Sequence, residues 1–202
     1  MASIGFDGIQ VGIHEGDTEI VKEVIDITTE AGAIEAQISG LGAQMNTTYA
    51  NNVPFYVSAV GTGTPELTLQ VADLGSEVVN KILGVTYENG IEKLGANTEA
   101  PYISIVLKSK ARSGADLYIA LLKGKMAYPD QNLATSTDSG AELNTDEITG
   151  TFQARKLDKQ VLFKARSDNE GFTKEEFDRL VFHGYTSAPS NPSTPEVPEE
   201  EK

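Results

Sequence analysis

The chain of 202 residues contains no cysteine, no tryptophan and two histidines. Without cysteine there is no disulfide bond and no thiolate for catalysis or metal binding. Acid, base and nucleophilic catalysis need a poised group beside an orienting partner, and two histidines offer few such pairs. The absence of tryptophan also disfavours an aromatic platform for carbohydrate. The composition therefore favours a protein that is not an enzyme and holds no cofactor.

Long apolar runs are missing as well. No run of about eighteen apolar residues occurs, and the first ten residues lack the charged and apolar regions of a signal peptide. From this we expect a protein that is made in a cytoplasm and does not enter a membrane.

Basic residues are scarce and unevenly placed. The chain has 16 Lys and Arg against 30 Asp and Glu, a net charge of −14. Residues 1–60 hold eight acidic residues and one basic residue, whereas Thr151 to Arg166 is net positive. This asymmetry suits self-association through unlike patches and an acidic face that does not hold DNA. The alternative interpretation is that these charges only solvate the surface.

The last residues differ in composition from the rest. Proline recurs at every third position from Pro189 to Pro198, and Glu199 to Glu201 follow. This pattern is typical of an extended, solvated segment. The sequence therefore predicts one folded domain over residues 1–185 and a flexible Pro/Glu-rich tail over residues 186–202.

Several segments have strand patterns. Ile103 to Leu107 and Leu117 to Leu122 are nearly continuous apolar runs, which predicts central strands buried on both faces. Three hairpins are also expected from alternating segments joined by turns: Thr18 to Ser39, Phe55 to Val71, and Ile148 to Ala165. The fold class that follows is mostly β.

Two long connections separate these strands. Gly40 to Asn52 and Gly124 to Thr145 show little periodicity and are long for loops in a compact domain. We expect Gly40 to Asn52 to be an extended loop. A loop as long as Gly124 to Thr145 is usually a binding element or disordered, and we expect a binding element there.

Two short helices complete the pattern. Ser76 is placed to cap a helix that ends at Gly84, where a left-handed residue is favoured. A second helix is expected after Thr173, which forms a capping box with Glu176, with Phe172 and Phe177 as a hydrophobic staple.

Motifs for chemistry are weak. His14 lies beside Glu15 and Asp17, but no second His or Cys follows at ligand spacing, so a surface histidine is favoured over a metal ligand. The segment GTGTPE from Gly61 lacks the third glycine of a dinucleotide motif and the lysine of a phosphate loop. We therefore expect no catalytic, cofactor or metal site.

The order of several segments resembles the major tail proteins, or tail tube proteins, of long non-contractile-tailed phages (siphophages) of Gram-positive bacteria. The segments are ISGLG (38–42), YANNVPFYVSAVGTG (49–63), VADLGSEVVNKILG (71–84), NTEAPY (97–102), ALLKG (120–124) and EGFTKEEFDRLVF (170–182). Their combined order is more specific than any one of them alone.

This resemblance implies a β-sandwich or barrel-like tail tube module with two short helices and long inter-strand loops. It also implies stacked hexameric rings that form the conduit for DNA ejection. The implied partners are other copies of the chain, the tape measure protein in the lumen, the tail terminator, and distal tail or baseplate proteins. DNA would pass without specific binding, and the protein would be assembled in the host cytoplasm and reside in the virion tail.

The resemblance also suggests where the assembly contacts lie. The hairpin from Thr18 to Ser39 is the candidate lumen lining, with Glu30, Glu35 and Gln37 facing the channel. The two long loops are candidates for contacts between rings. Their candidate residues are Met45, Asn46, Tyr49, Tyr128 and Asn132.

Two other functions are compatible with the sequence, that of another phage structural module and that of a carbohydrate-binding domain. β-rich modules recur in capsid decoration and baseplate proteins, and a fold does not fix a function. A carbohydrate-binding domain is less favoured, because the tyrosines are scattered.

Overall fold

The computed structural model describes residues 3–28, 32–43, 45–59, 61–72, 75–130 and 145–186. The described chain is mostly β with two short helices, which confirms the predicted fold class. The strands are β1 (Ser3–His14), β2 (Val21–Asp26), β3 (Ala33–Ser39), β4 (Met45–Ala50), β5 (Val53–Ala59), β6 (Glu66–Val71), β7 (Thr86–Glu88), β8 (Ile91–Lys93), β9 (Ile103–Ala111), β10 (Asp116–Met126), β11 (Asp146–Phe152) and β12 (Leu162–Arg166). The helices are α1 (Ser76–Leu83) and α2 (Lys174–Val181).

One antiparallel sheet organises the domain. Its strand order is β2-β1-β9-β10-β11-β6-β3, and β12 also pairs with β10. Strands β9 and β10 lie in the middle, as their apolar sequences predict, and Ile105 and Leu121 are almost fully buried. β10 is long enough for two partners end to end, since Leu117 to Leu121 pair with β12 and Gly124 to Met126 pair with β11.

The sheet curls around an inner apolar core. Side chains from β1, near one end of the sheet, and from β3 and β6, at the other end, belong to one buried cluster. A flat sheet would keep these strands apart, so the two ends fold over each other as in a sandwich or an open barrel. Helix α1 contributes Val78, Ile82 and Leu83 to the same inner core.

Helix α2 covers the opposite face of the central strands. Its Phe177 and Val181 pack with Tyr118 and Leu122 of β10 in an outer core. Because alternate residues of a strand point to opposite faces, β10 serves both cores.

All three expected hairpins are wrong in their pairing. β2 pairs with β1 and β3 pairs with β6, so Thr18 to Ser39 is not a hairpin. β5 pairs with β4, whereas β6 lies between β11 and β3, so Phe55 to Val71 is not one either. β11 and β12 both pair with β10. Alternation identifies strands but not their partners, because pairing depends on contacts distant in sequence.

The expected loops are shorter than their sequences suggest. Residues 45–50 form β4, so the segment Gly40 to Asn52 is partly a strand. β10 continues to Met126, which shortens the second connection at its start. The later part of that connection, residues 131–144, lies outside the described residues.

The helix ends agree with the sequence except at Ser76. Gly84 follows α1 with φ 68°, the expected left-handed terminating residue. Ser76 is the first helical residue and does not cap, since Gly75 occupies the cap position without a side-chain bond. At α2 the Thr173 side chain accepts from the Glu176 N–H, and the rings of Phe172 and Phe177 lie 6.1 Å apart, which confirms the cap and the staple.

Candidate assembly surfaces

A polar face covers the outside of strands β3, β6 and β11. The inward side chains of β6, Leu67, Leu69 and Val71, are buried in the inner core, so the alternate residues point outward. The pairing register aligns the outward residues in three rows across the strands. The rows are Glu35 with Gln70 and Glu147, Gln37 with Thr68 and Thr149, and Ser39 with Glu66 and Thr151.

The charge of this polar face is of one sign. Glu35, Glu66 and Glu147 are exposed, and none of the nine positions is Lys or Arg. The nearest base in the register is Lys125, which pairs with Thr151 at the border and whose Nζ lies 2.7 Å from a Glu99 carboxylate oxygen. The face therefore presents carboxylates and hydroxyl or amide groups to anything that passes over it.

The two end strands of the sheet, β2 and β3, have one partner each within the described residues. The Val21 N–H at the start of β2 already donates to the His183 carbonyl. Apart from this bond, the outer edges of β2 and β3 can pair with another chain. β3 forms one border of the polar face, so a strand added at this edge would extend that face.

Strands β4 and β5 form a separate projecting hairpin. Asn51 and Asn52 have φ values of 52° and 63°, which suits a tight two-residue turn of the mirror-image type. Phe55 is 79% exposed and Met45 is 77% exposed, and Tyr56 is also exposed. Monomeric proteins rarely expose so many large apolar side chains together, so this hairpin has the character of an interface.

The sequence around this hairpin carries no charge at all. No Asp, Glu, Lys, Arg or His occurs between Glu35 and Glu66 in a chain in which 23% of residues are charged. Charged residues are depleted at the cores of protein interfaces, because burying them removes their hydration. The absence of charge and the exposed apolar side chains thus both indicate that this hairpin is a protein interface.

A second small hairpin, β7–β8, also carries exposed apolar residues. Its turn is Asn89 and Gly90, and Tyr87 and Ile91 are 57% and 60% exposed. Unlike the β4–β5 hairpin it also carries charge, since Lys93 and Glu88 form an ion pair.

The predicted lumen and inter-ring residues fall on different elements. Glu35 and Gln37 are exposed on β3 within the polar face, whereas Glu30 lies outside the described residues. Met45 and Tyr49 are exposed on β4, which also contains Asn46.

The remaining two candidates lie on the second connection. Tyr128 follows Ala127, whose N–H donates to the Thr149 carbonyl, so it lies beside the polar face and not on the hairpin. Asn132 is outside the described residues.

Sequence reasoning missed the part of the polar face on β6 and β11. Thr68 and Gln70 were recognisable as the polar positions of an alternating strand, and Thr149 was recognisable in the same way on β11. Their alignment with Gln37 depends on β6 lying between β3 and β11, which alternation does not reveal.

Three charged or titratable side chains are buried near the turn between β1 and β2, namely His14, Lys123 and Arg155. The His14 ring is 3% exposed, and burial, with Lys123 and Arg155 nearby, lowers its pKa. The interpretation of His14 as a surface histidine is therefore wrong. Lys123 donates to the Asp17 carbonyl at 3.0 Å, and its Nζ lies 4.3 Å from the centre of the Tyr102 ring.

The turn is also fixed from its far side. The Glu19 carboxylate accepts from the backbone N–H groups of Lys156 and Leu157, and these bonds lower its pKa against the opposing effect of burial. The bond from Lys123 holds the turn to β10, and the bonds of Glu19 hold it to the connection between β11 and β12. The described residues contain no group of three or more His, Cys, Asp or Glu side chains arranged to hold a metal ion.

No helix in the described part of the chain is long and apolar enough to cross a membrane.

Comparisons with known proteins give the following similarities. The fold is similar to a cryo-EM structure of the anti-feeding prophage cap, described as a tube terminating cap, at 12% identity and a TM-score of 0.46, covering 83% of this chain and 93% of that chain. No protein with curated annotation matches the sequence significantly. The family model for phage tail tube proteins matches residues 1–190, and the chain therefore belongs to the phage tail tube protein family and is a structural protein of phage tails.

Proposed function

We propose that this chain polymerises as stacked hexameric rings into the tail tube of a siphophage and forms the conduit for DNA ejection. The observation that carries the proposal is the polar face of β3, β6 and β11, which is acidic, lacks Lys and Arg, and ends at a free strand edge. An inner tube wall needs both properties, a surface that releases its cargo and an edge that continues into the next subunit.

Ring closure follows from the free edges. Within the described residues no second strand pairs with β2 or β3, so a subunit can add another copy at each of these edges, and a head-to-tail contact that closes gives a ring. Closure also removes the exposed strand edges, which would otherwise invite uncontrolled aggregation.

The lumen would be lined by the polar face, with Glu35 and Gln37 on β3 and with Glu30 of the connection that precedes β3. A protein binds DNA mainly by replacing phosphate counterions with Lys and Arg. Because none of the nine outward positions is basic, DNA would pass without specific binding. Before ejection the same channel would hold the tape measure protein.

Stacking between rings would use the uncharged β4–β5 hairpin. Met45 and Tyr49 expose 77% and 65% of their surface, and Asn46 lies between them on β4. Tyr128 and Asn132, on the second connection, are proposed as further contacts between rings.

The ends of such a tube would be closed by other tail proteins. We propose a tail terminator at one end and distal tail or baseplate proteins at the other. The subunit would be synthesised and assembled in the host cytoplasm and would reside in the virion tail.

Negative-stain electron microscopy of the purified full-length chain over a concentration series tests the proposal. Hollow tubes of uniform bore, built from six-fold rings, are expected as the concentration rises. Particles that stay monomeric at every concentration would contradict polymerisation by this chain alone.

A further inference from the structure

An apolar groove of about 330 Å³ opens beside the free edge of β3. Six apolar residues form most of its lining: Phe6, Ile34, Ala36, Ile38, Leu107 and Ile119. The polar residues Glu35 and Ser109 also line it. Several of these side chains also pack against the inner core, so the groove reaches that core where β3 and β1 approach without pairing. Ile34 at its mouth is 47% exposed.

The projecting hairpin carries a side chain suited to this groove. Phe55 is 79% exposed and is the extra residue at an irregularity of β5, since Tyr56 pairs with Thr48 and Pro54 with Tyr49. Val57, two residues along the same strand, is 55% exposed. Neither the hairpin nor its flanking residues carry a charge that would have to be buried with the ring. An occupant without charge suits a groove lined by apolar side chains, since a buried charge without a partner is strongly unfavourable.

The sizes of the two features also match. An apolar cavity of about 150 Å³ is enough to bind benzene. The groove of about 330 Å³ therefore has room for the Phe55 ring.

The ring that fills the groove must come from another molecule. Within one chain Phe55 is largely exposed, so it does not occupy the groove of its own subunit. The hairpin and the groove are different surfaces, and a contact between different surfaces is head-to-tail and can repeat from subunit to subunit.

We propose that Phe55 of one subunit inserts into the groove between β3 and β1 of a second copy in the adjacent ring, while the free edge of β3 is left for the neighbour within the same ring. This inference rests on the proposed function in that it requires the chain to assemble with itself. It assigns the receptor of the hairpin, and it makes Ile34 and Phe55 direct neighbours across the contact.

The lack of cysteine in the chain makes a direct test simple. Two single-cysteine proteins are prepared from the full chain, one with Val57→Cys, which keeps the Phe55 ring, and one with Ile34→Cys, and are mixed under mild oxidation. The matched control replaces Val57→Cys by Tyr87→Cys, on the other exposed hairpin. Ser109→Cys is a second groove variant of nearly unchanged side-chain volume, for use if Ile34→Cys disturbs folding.

The proposal expects a disulfide between the Val57→Cys and Ile34→Cys proteins to form about tenfold faster or more than in the Tyr87→Cys control, because docking of the retained Phe55 ring raises the effective concentration of the two thiols. The proposal would be overturned if the hairpin variant and the Tyr87→Cys control formed the disulfide at equal rates, both with Ile34→Cys and with Ser109→Cys, whether or not the chain forms tubes. Tubes without this cross-link would leave the proposed function standing and remove the groove contact. The cross-link without tubes would support the groove contact and contradict the proposed function.

Discussion

The Nε2 atom of His14 lies 2.7 Å from the Oγ atom of Ser104, which links β1 to β9 inside the protein. The His14 Nδ1 lies 3.1 Å from the Thr18 carbonyl, which only accepts, so Nδ1 carries a hydrogen. The single hydroxyl hydrogen of Ser104 has two acceptors, His14 Nε2 and the Leu122 carbonyl at 2.7 Å. The ring is held neutral because burial and the charges of Lys123 and Arg155 oppose its protonation, while Glu19 favours it to a lesser degree.

This contact predicts a dependence of stability on pH. The pKa of His14 in the folded protein is lowered from its ordinary value of 6.5, so the unfolded chain takes up the proton more readily. The stability that results is present above pH 6.5 and decreases as the pH falls below it. We expect His14→Gln to reduce the change in urea midpoint between pH 7 and pH 5. His183→Gln, at the exposed second histidine, is the control and should leave the change as it is in the parent chain.

Arg155 should be among the most important side chains for stability. It is 2% exposed, and its guanidinium donates to the Leu180 carbonyl at 2.8 Å at the end of α2 and to both oxygens of Asp158. We expect Arg155→Ala to lower the free energy of unfolding by about 3 kcal/mol, since it leaves Asp158 without its partner and removes the cap of α2. Thermal unfolding measures this. Arg179→Ala, at an exposed ion pair with Glu176, should leave the melting temperature almost unchanged, and an equal loss in both variants would contradict the argument.

Gly84 is required by its backbone and by its surroundings. Its φ of 68° is left-handed, and a Cβ there would lie 2.3 Å from the Glu99 carbonyl oxygen. Gly90 has a similar φ of 78° but nothing within 4 Å of a Cβ, so it is a matched control. We expect Gly90→Ala to lower the free energy of unfolding by about 1 kcal/mol, because of the backbone conformation alone. Gly84→Ala should cost a further 1–3 kcal/mol or so from overpacking. Urea denaturation of both variants checks the difference, and equal costs would show that Glu99 moves aside.

The acidic face of the proposed lumen can be tested by reversing its charge. We expect tubes with Glu35→Lys and Glu147→Lys to retain short duplex DNA at low salt, because lysines there replace phosphate counterions. The binding constant for DNA should fall as salt is added, and the slope of its logarithm against the logarithm of the salt concentration should steepen by about 0.9 for each phosphate contacted. Glu170→Lys with Glu175→Lys changes the net charge equally at exposed positions before and within α2. Sedimentation of tubes with labelled DNA measures retention, and equal retention by the two variants would place the polar face outside the lumen.

The terminal Pro/Glu-rich segment should be dispensable for assembly. Its prolines at every third residue and its glutamates favour an extended, solvated chain that buries little apolar surface. A chain ending at Tyr185 is therefore expected to form tubes of the same bore and at the same concentration as the full chain, as judged by electron microscopy and sedimentation. Failure of the shortened chain to assemble, while it remains folded, would assign the tail a role in contacts between subunits.

Local patterns were enough for the parts of the fold that depend on neighbouring residues. The continuous apolar runs Ile103 to Leu107 and Leu117 to Leu122 identified the central strands, because strands covered on both faces cannot alternate. The cap at Thr173 and the left-handed Gly84 were recognisable because each acts within a few residues of its own position.

The amino-acid sequence by itself thus determined the β-rich class, the central strands and the helix ends, and the order of its segments indicated the tail tube family. Tertiary structure alone decided which strands pair, that His14 is buried against Ser104, and that Gln37, Thr68 and Thr149 form one row of the polar face. The physical reason is that pairing and burial arise from contacts between residues far apart in the chain, whereas alternation and capping record only the local conformation.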